Sequence, residues 1–345
     1  MHADIPRERL DDFLLGMPKA ELHVHVEGTL EPDLAISIAA RGGVELTPAE
    51  VTAMRDPRPF TDLQSFLDRY YATLRVLRTE EDFHDLASAY LRRAAAEGVV
   101  RAEIFFDPQA HTARGVPIAA VLRGLSRACR EARASGVSAD LILCFLRHLG
   151  ENEAFETLEA SLPFRDLFIG VGLDSSERGH PPEKFARVFA RCRKLGLRAV
   201  AHAGEEGPAR NVEVALDVLG VERIDHGVRC LEDPALVARL ARERVPLTVC
   251  PLSNVRLRVY ETLAHHGLGR MLEAGILASV HSDDPAHFGG YLHRNLVEVL
   301  DALGLGSAAA CRLARNSLES SFLEAAERRM LLDRLDGYVA KFMQA

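Results

Sequence analysis

The chain has 345 residues, 48% of them hydrophobic and 27% charged, with a formal net charge of -8. That balance supplies apolar material for a large core, excludes a globally disordered chain and leaves no basic excess for a polyanionic partner, so nucleic acid is not an expected ligand. The six cysteines, Cys129, Cys144, Cys192, Cys230, Cys250 and Cys311, form no C-x-x-C pair and read as reduced core thiols. The sequence shows neither a signal-peptide stretch nor an apolar run long enough for a membrane span, which sets the expectation of a cytoplasmic protein with no membrane partner.

Short apolar runs recur at 21–26, 99–106, 139–146, 167–173, 198–203, 223–225, 246–249 and 277–280. Their near-continuous hydrophobicity suits strands buried on both faces, and the helical patterns between them imply parallel pairing. Eight such units predict an α/β chain folded as a closed (β/α)8 TIM barrel. No repeat, low-complexity tract or linker divides it, so 1–345 is expected to be one domain. The stretch 28–98 exceeds what one crossover helix needs, so extra helices are expected between the first two strands, part of them over the site. One is marked by Thr79 ahead of Asp82, by Phe83, Leu86, Ala87, Tyr90 and Leu91 on one face, and by Gly98 as its stop.

In a parallel barrel all strand C-termini meet on one face, so residues distant in sequence converge there. His23 and His25 end the first strand, where a period of two puts both imidazoles on the same side. His202 ends the fifth strand in Ala-His-Ala-Gly-Glu-Glu-Gly, and Asp283 follows the eighth in His-Ser-Asp-Asp-Pro. Three imidazole nitrogens and one carboxylate oxygen form a borderline-soft set that suits one zinc ion and leaves room for water. Hydrolysis also needs groups that move protons. Glu205, three residues after His202, can exchange a proton with a ring nitrogen, and His226 and Asp284 can orient or deprotonate the water. Taken singly, each has a plainer reading: a loop acid, a histidine bonded to backbone, a cap before Pro285. His84, His265, His266 and His293 read as surface residues, and His111, His148 and His180, which follow strands, as candidates for the barrel mouth.

Five segments resemble those of the adenosine/adenine deaminase family in the same order: Ala-Glu-Leu-His-Val-His-Val-Glu-Gly-Thr-Leu at 20–30, Ala-His-Ala-Gly-Glu-Glu at 201–206, Arg-Ile-Asp-His-Gly at 223–227, Cys-Pro-Leu-Ser-Asn at 250–254 and Ser-Asp-Asp-Pro at 282–285. The likeness spans residues 18–295. It implies a barrel of the metal-dependent hydrolase type, with one Zn2+ per chain held by His23, His25, His202 and Asp283. It further implies that Glu205 protonates the purine N1 as hydroxide adds at C6, that His226 assists the attacking water electrostatically or as base, and that Asp284 bonds N7 or the incoming hydroxyl. Adenine would then give hypoxanthine and ammonia, a purine-salvage reaction.

Within the family, the run Gly-Leu-Asp-Ser-Ser-Glu-Arg-Gly-His-Pro-Pro at 172–182 is similar to the adenine-acting branch, whereas the nucleoside-acting branch has glycine in place of Glu177. A carboxylate there could accept the N9–H of a free base, a donor that every N9-glycoside lacks, so Glu177, Gly204 and Asp284 are the expected purine contacts. Two positions depart from the family pattern: His281 where asparagine is common, and His287 where tyrosine is frequent. His281 shares parity with Asp283 but is expected to support the ligands, since four are already present. These departures keep adenosine, other adenine-bearing nucleosides and N6-substituted adenines open as substrates.

Other functions fit the residues less well. A two-metal amidohydrolase would often carry a bridging lysine on the fourth strand, and Gly172-Leu173-Asp174 holds none. A non-catalytic purine-binding protein would be signalled by loss of Glu205 or a ligand, and all are kept. The paired H-x-E and P-C-x-x-C ligand set of polynucleotide deaminases is absent, because no P-C-x-x-C occurs in the chain. A small purine is the expected partner, with the oligomeric state left open.

Overall fold

The computed structural model describes residues 5–55 and 60–344. Strands β1 (Lys19–His25), β2 (Val99–Phe106), β3 (Ser138–Leu146), β4 (Gly170–Asp174), β5 (Arg198–Ala203), β6 (Arg223–His226), β7 (Pro246–Val249) and β8 (Leu277–Val280) pair in sequence order, all parallel. The ring closes just past β8, where His25 N–H donates to the Asp283 carbonyl and Asp283 N–H to the His23 carbonyl, each at 3.0 Å. Closure thus sets three of the expected metal ligands side by side.

The runs 99–106, 198–203, 246–249 and 277–280 coincide with observed strands. The fourth differs: Leu162–Leu167 forms a 3-10 turn carrying Pro163, so β4 begins only at Gly170. Strands β1 to β4 and β6 are buried along almost their whole length, which explains why their sequences read as continuous apolar runs instead of alternating ones. Phe105, Ile142, Cys144 and Val200 form a small cluster of their own, and Phe105 meets His23 and His25 edge-on and His202 at a tilt, which places it inside the barrel beneath the site. Deeper in the barrel is a charged plug: Glu103 accepts from Arg223 at 2.5 Å, from Arg101 at 3.0 Å and from Phe322 N–H at 2.6 Å. The cysteines are all unpaired, and five of the six are buried.

Among the described residues, four helices longer than one turn lie between β1 and β2: Pro32–Gly42, Pro48–Met54, Leu63–Thr73 and Glu80–Ala96. The last starts where Thr79 and Asp82 cap each other reciprocally, and it buries Phe83, Leu86, Ala87, Tyr90 and Leu91. Gly98 ends it with φ +79°, and a Cβ there would come within 2.6 Å of the Leu15 carbonyl, so glycine is required. No described helix is long and apolar enough to cross a membrane.

Candidate metal centre and active site

The C-terminal rim of the barrel brings His23, His25, His202 and Asp283 together, with one donor atom from each lying within 4.8 Å of the others. His25 Nε2 and His202 Nε2 face each other at 3.2 Å, and Asp283 Oδ1 lies 3.4 Å from His23 Nε2 and 3.5 Å from His25 Nε2. Asp283 reaches this point through a left-handed backbone, φ +64°, which its two bonds to β1 hold in place.

Polar partners behind the cluster set the direction of the rings. The Thr248 hydroxyl donates to Asp225 Oδ1 at 2.9 Å, so its oxygen accepts from His23 Nδ1–H at 2.9 Å. That choice of tautomer leaves the His23 Nε2 lone pair facing the cluster, where it is buried and has no hydrogen-bond partner. His202 Nδ1 faces Asp225 Oδ2 at 3.7 Å, and burial followed by the neighbouring histidines holds this ring well below the ordinary imidazole range, hence neutral. Three imidazoles, one carboxylate and an orphaned ring nitrogen suit a tetrahedral Zn2+ site, and the donor set fits that ion.

Glu205 stands beside the cluster, with Oε1 3.5 Å from His226 Nε2. Burial first, then the Asp283, Glu177 and Glu206 carboxylates, push it well above the usual carboxylate range, which favours the protonated acid. His226, pushed down to about 3 by burial and then by His23, is neutral. Its tautomer follows from a relay. Leu268 N–H donates to His266 Nδ1 at 3.1 Å, His266 Nε2 to Asn254 Oδ1 at 3.2 Å, and the Asn254 amide to His226 Nδ1 at 3.4 Å. The His226 proton therefore sits on Nε2, pointing into the site. Asp284 is buried with Oδ1 unpartnered, and a side chain at Gly28 would overlap its carboxylate, so Gly28 makes room for Asp284. Burial and then Asp283 raise the Asp284 carboxyl well above its ordinary range.

Above these groups a cavity is roofed by Leu63, Phe66, Leu67, Tyr70 and Tyr71 from the helix Leu63–Thr73, with Phe288 and Leu257 at its side. The expected cover from the long β1–β2 connection is this helix. The cavity floor includes His25, His202, Glu205, His226, Asp283 and Asp284, together with Asp107 and Asp174 from the ends of β2 and β4. The same strand-end rule that singles out His202 applies to Asp107 and Asp174, and would have found them.

Several expectations are corrected here. Glu177 does not face the cavity. Its Oε1 accepts from Gly204 N–H at 2.8 Å and Asn211 Nδ2 at 2.7 Å, and its Oε2 from Glu205, Glu206 and Gly207 N–H at 3.1, 3.2 and 2.8 Å. With every lone pair occupied, Glu177 binds the 204–207 turn instead of a purine, and Gly204 spends its own N–H on Glu177. His266, expected at the surface, is buried in the relay, because its two nitrogens find partners inside. His111, expected at the mouth, is buried against Glu27 at 2.9 Å and the Phe83 ring. His84 and His293 are only partly exposed, against Glu131 and Asp11, whereas His148 stays at the mouth with Nδ1 2.8 Å from Ser175 Oγ. His281 donates to or accepts from Ser279, Leu22 and Glu21 through both nitrogens, which leaves it no lone pair for a metal.

The family model for adenosine deaminase matches residues 18–338. The chain is 58% identical to the adenine deaminase of Geotalea uraniireducens over 342 residues, covering 99% of this chain and 96% of that one. It is 61% identical to the adenine deaminase of Cupriavidus necator over 322 residues, 93% and 92% of the two chains. Among solved structures, the adenine deaminase from Arthrobacter aurescens superposes with a TM-score of 0.92 at 50% identity, covering 95% of this chain and all of that one. A Zn-bound amidohydrolase from Burkholderia ambifaria superposes with a TM-score of 0.89 at 28% identity, covering 99% of this chain and 96% of that one. A barrel that gathers His23, His25, His202 and Asp283 beside Glu205, matched over nearly its whole length, makes this chain a hydrolase that belongs to the adenosine deaminase family.

Proposed function

We propose that the chain is a zinc-dependent adenine deaminase of purine salvage, adding water at C6 of adenine and releasing hypoxanthine and ammonia. The observation that carries this reading is the convergence of His23, His25, His202 and Asp283 beside a cavity that His25, His202, Asp283 and the buried Glu205 line together. The close likeness to relatives named adenine deaminase supports the choice of base.

A bound Zn2+ would supply a water acidified toward a pKa of ~7. The chain's own groups do the rest. Glu205, protonated because it is buried, donates to N1 of the purine, which draws electrons from C6 and opens that carbon to attack. His226 presents Nε2–H, a donor that orients the attacking oxygen and stabilises the charge it leaves behind; the relay through Asn254 and His266 keeps that proton in place. Asp284, with its raised carboxyl, meets the N7 lone pair as a donor. Phe66, Tyr70 and Phe288 close over the base and exclude bulk water. As the adduct collapses, the proton of its C6 hydroxyl passes to the amino nitrogen while the C6–N6 bond breaks, so ammonia leaves and C6 becomes the carbonyl of hypoxanthine; the proton given up by the attacking water restores Glu205.

Ammonia release from adenine, adenosine and N6-methyladenine by the purified protein tests the reading. Adenine is expected to be turned over fastest. Faster turnover of adenosine would overturn it.

A further inference from the structure

The Glu177 carboxylate is fully engaged, so the feature that separates a free base from its 9-substituted derivatives must be read elsewhere. Asp107 ends the β2 connection and Asp174 ends β4; both are at most 2% exposed, and both line the cavity. Asp174 Oδ1 and Oδ2 and Asp107 Oδ1 are buried and have no hydrogen-bond partner. Three unpartnered acceptor atoms facing one cavity are costly unless a ligand donor meets them. Asp107, Asp174 and His25 place one atom each within 4.8 Å of the others, and His25 Nδ1 lies 3.5 Å from Asp174 Oδ2, so the two acids share one corner of the cavity beside a cluster histidine.

The position of these two acids on the rim tells which edge of the base they meet. With N1 toward Glu205 on the β5 side and N7 toward Asp284 beyond β8, C6 lies over the donor cluster. The purine's remaining edge, N3 and N9, then turns to the arc of the rim that holds β2 and β4. The opposite arc, after β6 and β7, is taken by His226 and Asn254.

Resting on the adenine deaminase reading above, we propose that Asp107 and Asp174 are specificity-determining residues that accept the ring N9–H of a free purine base, so that the enzyme rejects purines substituted at N9. A site built to receive an N–H discriminates strongly against the analogue that lacks it, because its buried acceptors are then left unpaired.

The test compares kcat/KM for adenine and 9-methyladenine in the wild type and in Asp107→Asn and Asp174→Asn, which keep the volume and remove the charge. Bound zinc is measured in each protein, since Asp174 touches His25. The wild type is expected to prefer adenine by about 10⁴-fold. Each variant is expected to narrow that ratio at least 10-fold, chiefly by losing adenine turnover, with zinc content unchanged. A wild type that deaminates both bases equally, or zinc-replete variants that keep the full ratio, would overturn the proposal. The wild-type comparison alone decides if a variant fails to fold. A wild type inactive toward adenine would instead sink the underlying reading, and that outcome is distinct from activity without N9 discrimination.

Discussion

Glu205 carries the sharpest prediction at the scale of single residues. Its side chain owes its proton to burial and to acidic neighbours, not to a fixed hydrogen bond. Because its folded pKa is raised and the protonated form acts, kcat/KM should hold on the acid side and fall as pH rises through that raised value. Glu205→Gln is nearly isosteric and cannot transfer a proton, so kcat should drop by about 10²–10⁴-fold with zinc content unchanged. Steady-state kinetics across pH checks both points, and a variant that keeps wild-type kcat would remove Glu205 from the chemistry. The sequence announces Glu205 because it stands three residues past a strand-end histidine. It does not reveal what Glu177 does, since four of the five donors that capture Glu177 are backbone N–H groups at 204–207, which every residue type except proline carries.

Among the elements, the helix Leu63–Thr73 decides what the cavity admits. Asp62 and Ser65 cap each other at its start, and it buries Leu63, Phe66, Leu67 and Tyr70. Phe66 packs on Phe60, Tyr70, His287 and Phe288, so the roof is one aromatic cluster shared by this helix and the short helix Pro285–Phe288 that follows the metal-ligand loop. Truncation to Phe66→Ala removes apolar contact worth about 1.5–3 kcal/mol, which should appear as a rise in KM for adenine of at least ~10-fold with kcat affected less. An unchanged KM would mean that the helix does not cover the base. The sequence reveals that helices fill 28–98, because the stretch is too long for one crossover, but not which of them forms the roof. That depends on a tertiary contact with Phe288, more than 200 residues away.

For the molecule as a whole, stability and catalysis occupy opposite parts of the barrel. Beneath the site, Glu103 is fully buried; burial alone would raise it, but Arg223 and Arg101 more than offset this and hold it below the ordinary value of 4.5. A carboxylate with a depressed folded pKa contributes stability that is present above its unfolded value and is lost as pH falls through its folded one. Thermal unfolding should therefore shift to lower temperature as pH drops below about 4.5. Arg223→Leu, which strands Glu103 without its partner, should cost about 3–5 kcal/mol at neutral pH while the folded fraction still turns over adenine. A variant as stable as the wild type would contradict the plug. Apolar periodicity hides this network, because a run such as 99–106 is read as one buried strand whether or not Arg101 and Glu103 inside it find partners across the barrel. By contrast, strand order and barrel closure are legible, since eight apolar runs alternate with helical patterns and the closing Val24–Asp283 bridge lies within two recognisable motifs.

Deamination in this barrel is expected to depend on a divalent ion that His23, His25, His202 and Asp283 would hold. Metal-free protein, prepared with a chelator and titrated with Zn2+ while adenine deamination is followed, addresses that most directly. Activity should climb in proportion to added metal and level off at one ion per chain, and His202→Ala should neither retain zinc nor recover activity. Undiminished deamination by the metal-free protein, or full activity in His202→Ala, would contradict it.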